Sequence, residues 1–339
     1  MSVNIVRIPP AEMVREFKEI LADQGYTEPG AGILAQTFTD NSLDGVYTHG
    51  VNRFSGFIQD VRQGLVDIHA KAECVHRAGG IEQWEGHRAA GILNALDAAD
   101  RSIVLAREYG IGCVALAHTN HWMRGGTYGR KVAEEGLVFI GWTNTIANMP
   151  AWGAVDVRLG NNPLVIGVPY GKESVVLDMA MSQYSFGSLK LRKMKGETLP
   201  VPGGYDDAGT LSVDPEAIMK SGRVVPVGYW KGAALSLLLD ILAAALSGGM
   251  AVNKITAQGE EYNLSQVFIS IALQRLNNGE AISSMVDEII TDHNQSLVHE
   301  NSPSVRYPGQ NTRKIREENS RLGIPVINEV WDDILKYRG

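Results

Sequence analysis

The stretch from Ile92 to Ala117, ILNALDAADRSIVLAREYGIGCVALA, decides how the rest of the chain is read. Ile92, Ala95, Leu96, Ala99, Ile103 and Ala106 recur at helical spacing and predict an amphipathic helix up to Tyr109. Gly110-Ile111-Gly112 closes it, and Cys113-Val114-Ala115-Leu116-Ala117 reads as a short buried strand. A dinucleotide fingerprint, Gly-x-Gly-x-x-Gly, must follow a strand and open a helix. The nearest match here, Gly110 to Ala115, has that order reversed, so its glycines serve as a helix stop. The chain is therefore read as α/β without a Rossmann unit.

Working outward, Gly126 to Glu135 reads as a helix and Leu137 to Trp142 as a strand. Leu164 to Pro169 and Ser174 to Met179 are two more strands, joined at Tyr170-Gly171. Strands alternating with helices imply an α/β layer around a central mixed sheet. Upstream, Met13, Phe17, Ile20 and Leu21 mark a helix that begins at Pro9-Pro10 and stops at Gly25. Two further helices are expected over Glu28 to Asp44 and Asn52 to Gln63, with Tyr47-Thr48-His49-Gly50 at their junction. Downstream, residues 190–230 are rich in Gly, Pro and Lys and read as long surface connections. Helices are expected over Gly232 to Leu246, Gln266 to Leu276, Ser283 to Asn294, Thr312 to Leu322 and Trp331 to Tyr337. This pattern predicts a discontinuous helical domain, 1–75 with 235–339, flanking an α/β cofactor- and substrate-binding domain over 76–234.

The 339 residues are 44% hydrophobic and 20% charged, an average balance for a globular protein large enough to bury ~75% of its unfolded surface. With 31 Lys+Arg against 38 Asp+Glu, the net charge of −7 argues against a nucleic-acid partner. Met1 to Pro10 has no apolar core of a signal peptide. The most hydrophobic stretch, Ala233 to Ser247, carries Asp240, ends at Gly248-Gly249 and is too short to span a bilayer. The expectation is a soluble cytoplasmic enzyme with no membrane partner. Cys74 and Cys113 cannot build a zinc site or a disulfide framework. His118 and His121 lack the spacing and the intervening Glu of a helical zinc motif, so no metal is expected. Gly167 to Lys172 is one residue short of a P-loop, and Gly-x-Ser-x-Gly is absent.

Three polar clusters remain. His49-Gly50-Val51-Asn52-Arg53 pairs a group that titrates near neutrality with a fork suited to a carboxylate. Spacing alone favours a helix-start His beside a solvated Arg. His121-Trp122-Met123-Arg124-Gly125-Gly126 precedes a helix start and suits an anionic or hydroxyl-rich ligand, or a loop around one buried Trp. Trp142-Thr143-Asn144, Met149 to Gly153 and Gly160 to Pro163 stand at strand ends, where α/β sheets bind ligands, or form plain turns. Asp178 is a carboxylate in an apolar strand; such a group needs a partner, or else caps a backbone turn.

Taken together, His49 to Arg53, His121, Gly160-x-Asn162-Pro163, Leu177-Asp178-Met179, Gly228-Tyr229-Trp230-Lys231-Gly232 and Pro308-Gly309 resemble the type-2 malate/L-lactate dehydrogenase family over essentially the whole chain. The likeness is strongest to members that reduce a 2-oxo sugar acid. The resemblance implies a homodimeric NAD(P)-dependent 2-oxoacid reductase whose cofactor fold is its own, with His49 as proton donor to the carbonyl oxygen. On that reading Asp178 orients and charges the His49 ring, and Arg53 and His121 hold the substrate carboxylate. Arg124 and Trp152 meet a polyol tail or second carbonyl. The cofactor positions carried over are Ser174, Val175, Val176, Leu177, Asp178, Met179 and Ala180, then Trp230 and Lys231, then Gly309, Gln310 and Asn311. Relatives usually end the last segment in an acidic residue; Asn311 stands here, which implies NADH preferred with NADPH possible. Lys190, Arg192, Lys193 and Lys195 read as a solvated strand face. The alternatives are a dehydrogenase of malate, L-lactate or sulfolactate, and a non-catalytic sugar-acid binding protein.

Overall fold

The computed structural model describes residues 4–300 and 304–339. After strand β1 (Ile5–Ile8), Pro10 occupies the first turn of α1 (Pro10–Asp23), where its missing N–H costs nothing. Helix α2 (Glu28–Leu43), a 3-10 turn at Tyr47–His49 and α3 (Val51–Arg62) follow. The hairpin β2 (Glu73–Ala78) and β3 (Ile81–Glu85) leads into α4 (Gly91–Tyr109). Gly110, at φ 89°, ends α4 and lets β4 (Ile111–Thr119) start at once, as its reading as a helix stop requires. Next come α5 (Gly125–Glu134), β5 (Leu137–Thr143), the small hairpin β6 (Ala147–Pro150) with β7 (Val157–Gly160), and the hairpin β8 (Leu164–Tyr170) with β9 (Glu173–Met179).

The stretch 190–230 holds more structure than surface connections. Helix α6 (Phe186–Lys195) is capped by Ser185 and closed by Gly196 in the left-handed region. The two-residue strands β10 (Gly204–Tyr205) and β11 (Leu211–Ser212) pair, and α7 (Pro215–Ser221) is capped by Asp214. The basic run Lys190 to Lys195 thus lies on a helix rather than a strand face, and Lys193 pairs with Glu216 at 3.0 Å. Helices α8 (Trp230–Ser247) and α9 (Val252–Ala257) precede β12 (Leu264–Ala272). The chain ends with α10 (Gly279–Asn294), α11 (Gln310–Leu322), β13 (Ile324–Ile327) and α12 (Asn328–Leu335).

The seven-stranded sheet has the order β2-β3-β4-β12-β5-β8-β9, and β3 with β4 is its one parallel pair among the described residues. Its centre corrects the sequence reading. Gln266 to Leu276, expected as a helix, supplies β12, antiparallel to β4 and to β5, with Val267 facing Ala115 on one side and Trp142 on the other. Val267, Ile269 and Ile271 are β-branched and two apart, so the branched side chains fit a pleated surface better than a helix. A boundary at residue 235 therefore leaves a central strand with the helical part, and the sheet does not follow it.

Among the described residues, three hydrophobic clusters hold these layers. In the first, Phe17, Phe38, Phe54 and Phe57 pack with Ile324, Val326, Trp331 and Ile334, so both chain ends share one core. Antiparallel pairing of β1 with β13, Ile5 opposite Ile327, ties those ends together. The second cluster lies between α4, α5 and one face of the sheet, and the third lies on the other face under α8. Ala233, Ser236, Leu239 and Ala243 form the buried side of α8, and Trp142 Nε1 donates to Leu239 O at 3.0 Å. At 18 residues α8 is longer than the sequence reading made it, and by length and composition alone it could cross a membrane. One side of it is nonetheless docked on the sheet, while Leu235, Leu237, Leu238, Ile241 and Leu242 stay exposed.

Candidate active site

A cavity of about 610 Å³ opens between the Tyr47–His49 turn, the start of α5, strand β9 and the start of α11. His49, His121, Arg124 and Asp178 line it together. Local chemistry fixes each of them. Gly50 has φ −115° and ψ −124°, and a Cβ there would clash with Ser42 Oγ and lie 2.9 Å from Phe38 O. Only glycine lets the chain turn this close to α2 and set His49 at the head of α3. Asn41 Nδ2 donates to His49 O at 3.0 Å, and Thr127 Oγ1 donates to Asn41 Oδ1 at 2.8 Å, so α5 holds the same turn.

The rings of His49 and His121 are stacked with centroids 5.7 Å apart and planes 14° off parallel. The Met123 N–H donates to His121 Nδ1 at 2.9 Å, so that nitrogen carries no proton. Burial, with the His49 and Arg53 charges added, holds His121 well below the ordinary imidazole value. His121 is therefore a neutral ring whose one N–H is on Nε2. Burial also lowers His49; the Asp178 carboxylate works against this, while Arg53 and Arg124 reinforce it. Of the two rings, His49 is the one poised to take up a proton. The Asp178 carboxylate faces the cavity, and its Oδ2 accepts the Gly126 N–H at 2.7 Å. Its partner is thus a helix N-terminus, where a negative charge is favoured.

A family model described as malate/L-lactate dehydrogenase matches residues 8–335. The chain belongs to this family. It is an oxidoreductase of hydroxy and oxo acids. A 2,3-diketo-L-gulonate reductase of Citrobacter koseri is 40% identical over 325 residues, covering 95% of this chain and 98% of the relative. One from Klebsiella pneumoniae is 40% identical over 330 residues, with 97% and 99% covered. Among solved structures, malate dehydrogenase from Entamoeba histolytica superposes with a TM-score of 0.93 over 98% of this chain and 97% of that one, at 20% identity, which speaks for the fold.

Not every residue carried over to this dehydrogenase lies at the cavity. Ser174, Val176, Asp178, Met179 and Ala180 line it, whereas Val175 and Leu177 do not, as strand alternation requires. Gly309 lines it at φ 88°, and Pro308 O accepts the Val176 N–H at 3.2 Å, which docks this segment on β9. Gln310 turns away: its Oε1 accepts the Tyr307 N–H at 3.1 Å. Thr312, one turn on, lines the cavity, and Asn311 does not. Trp230 and Lys231 are exposed at the head of α8, off the cavity, which reaches this segment at Val227. Trp152 is exposed and leans on Tyr229, ring centroids 4.9 Å apart. Arg53 does not line the cavity either; its Nη2 meets Asp60 Oδ2 at 3.3 Å along α3. Asn144 and Asn162 serve the scaffold: Asn144 Nδ2 donates to Met250 O at 2.7 Å, and Asn162 Nδ2 to Ser236 O at 2.9 Å.

Asp44 is the residue the sequence reading missed. Its side chain is fully buried, and it accepts from Arg124, from Arg130 Nη1 at 2.6 Å and from Arg316 Nε at 2.6 Å. The signal was its position. Asp44 ends α2, where the helix dipole disfavours a carboxylate, so it needs cations from elsewhere in the fold.

Two helices, α5 and α11, begin at the cavity; Asp178 accepts the Gly126 N–H of the first, and the N-cap residue of the second is Gly309. The positive end of α11, with Arg130 at the same cavity, suits a phosphate-bearing cofactor.

Proposed function

We propose that this dehydrogenase reduces a 2-oxo sugar acid of the 2,3-diketo-L-gulonate kind with a reduced nicotinamide dinucleotide, His49 giving the proton to the ketone oxygen. The observation that carries this is the pair of parallel imidazoles at one cavity wall, one fixed neutral and one titrating, opposite Asp178. The nicotinamide would supply the hydride. Ser174, Val176, Asp178 and Met179 of β9 and Ala180 just after it, with Gly309 and Thr312 at the start of α11, would hold it. His49 meets the developing alkoxide as a general acid, a role worth ~10²–10⁴-fold. Asp178 favours the charged His49 ring, while His121, with Nε2–H alone to offer, holds a substrate oxygen without competing for the proton.

Initial rates on 2-oxo sugar acids and on simple 2-oxoacids, with NADH and NADPH in parallel, test this. Oxidation of NADH fastest with the sugar acids is the expected result, with weak discrimination against NADPH because Asn311 brings no carboxylate. Highest efficiency on malate's or lactate's oxo acid would move the chain to the simpler substrates, and no turnover with either class would remove the reading.

The working unit is a homodimer joined through α8, whose exposed side carries Leu235, Leu237, Leu238, Ile241 and Leu242. Two-fold pairing is the commonest way for a soluble protein to cover such a side. Light scattering should give twice the chain mass for the wild type and one chain mass for the double variant Leu238→Glu, Leu242→Glu. A wild-type mass of one chain with full activity would rule the pairing out.

A further inference from the structure

The donors around Asp44 are not all used. Arg124, Arg130 and Arg316 share Asp44, and Asp40 adds a second carboxylate through Arg316 Nη1 at 2.9 Å. Arg130 also reaches Glu134, Nε to Oε1 at 3.9 Å, so three guanidiniums meet three carboxylates but share them unevenly. Arg316 has its forks filled, Nε on Asp44 and Nη1 on Asp40. Arg124 does not: its side chain is only 10% exposed and makes a single hydrogen bond among the described residues, from Nη1 to Asp44. A guanidinium has five N–H donors, and leaving most of them unused in so buried a group is costly unless something else accepts them. Arg124 lines the cavity, so the acceptor can come from there.

Resting on the reading of the protein as a 2-oxoacid reductase, we propose that Arg124 is the anchor of the substrate's carboxylate and that Asp44 is the positioning residue that presents it. A carboxylate accepts two parallel hydrogen bonds from a guanidinium fork, and Arg124 has most of its donors open to the cavity. In a 2-oxoacid the carboxylate is bonded to the carbon that is reduced, so its anchor must stand near the proton donor. Arg124 does: it caps α5 directly before the Gly125-Gly126 start that holds Asp178, and its charge reaches the His49 ring. Arg53, the other guanidinium whose charge reaches His49, is turned to Asp60. The groups acting on His49 are then Asp178 from β9, Arg53 from α3, Arg124 from the α5 start and the His121 ring stacked on it. Neutralising Arg124 by a bound carboxylate favours protonation of His49, so the substrate helps load its own proton donor.

Arg124→Met tests this against wild type, with NADH binding followed by fluorescence in the absence of substrate. Oxalate binding is followed by thermal shift, a readout independent of turnover. The KM for the oxoacid is expected to rise roughly 10- to 100-fold, as loss of charge-assisted hydrogen bonds gives. Oxalate protection should be lost, the NADH Kd should stay within about 2-fold, and the His49 limb of the pH profile should move up. Arg124→Lys should recover part of the KM. Asp44→Asn should raise the same KM with NADH binding kept; a fall in kcat at unchanged KM would make Asp44 structural only and overturn its part. An NADH Kd weakened as much as the substrate KM would assign Arg124 to a cofactor phosphate, and an unchanged KM with oxalate still bound would remove the anchor. Wild-type turnover of 2-oxoacids decides the underlying reading separately.

Discussion

His49→Ala is expected to cut turnover in the reducing direction by at least about 100-fold, the low end for loss of a general acid, while the fold and NADH binding persist. The backbone of His49, not its ring, is what Asn41 grips, so removing the ring leaves the turn at the head of α3 in place. The pH dependence carries the stronger test. Burial, helped by Arg53 and Arg124, holds His49 below the ordinary imidazole value of about 6.5. Reduction needs the protonated ring, so kcat/KM for reduction should fall as pH rises through that lowered value in the free enzyme. Oxidation of the hydroxy acid needs the neutral ring and should rise across the same range. His121 cannot replace it, because its Nδ1 is committed to the Met123 N–H and burial holds it well below the ordinary imidazole value. Near-normal turnover in His49→Ala, with both limbs where they were, would show that another group delivers the proton.

How far the sequence could be read follows from where information is local. Helices α1 to α5 were legible because apolar spacing, Pro starts and Gly stops are local signals, and Gly110 at φ 89° does in the fold what its place in the sequence requires. Strand β12 was not, since a fully buried strand shows a continuous apolar run that periodicity cannot tell from a buried helix. Val267, Ile269 and Ile271, β-branched at every second position, were the available hint. Strands β1 and β13 are four residues each and exist through pairing across more than 300 positions, which no window contains. At the site, His49, His121 and Asp178 were found because their residue types advertise chemistry. Alternation along β9 then separates Val176 from Val175, which a carried-over segment cannot do. The whole Asp44 cluster depends on α2, α5 and α11 meeting in space, and the lean of Trp152 depends on Tyr229 arriving from a distant segment.

Asp44→Asn is expected to be the most damaging of the single polar substitutions for stability. Asp44 Oδ2 accepts from Arg124 and Arg130 and its Oδ1 from Arg316, so one carboxylate joins α2, α5 and α11. An amide of nearly the same shape keeps the space filled and removes the charge, which leaves the partly buried guanidiniums facing one another with only Asp40 and the more exposed Glu134 in compensation. Removing one partner of a buried ion pair costs about 3–5 kcal/mol, because the remaining charge stays desolvated. The pH dependence gives the sign. Burial by itself would raise the Asp44 carboxyl, but Arg124, Arg130 and Arg316 outweigh it and hold the carboxyl below its ordinary range. A carboxyl lowered by folding contributes fully above its unfolded value of about 3.9 and loses that contribution as pH falls through the folded value. Urea midpoints should therefore differ most near neutrality, and the gap between wild type and variant should close in acid as Asp44 in the wild type takes up its proton. Equal midpoints at neutral pH would mean that the three guanidiniums find other partners or water without cost. A gap that widens in acid would mean that Asp44 holds its proton in the native fold, and the cluster would then be held by hydrogen bonds rather than by charge.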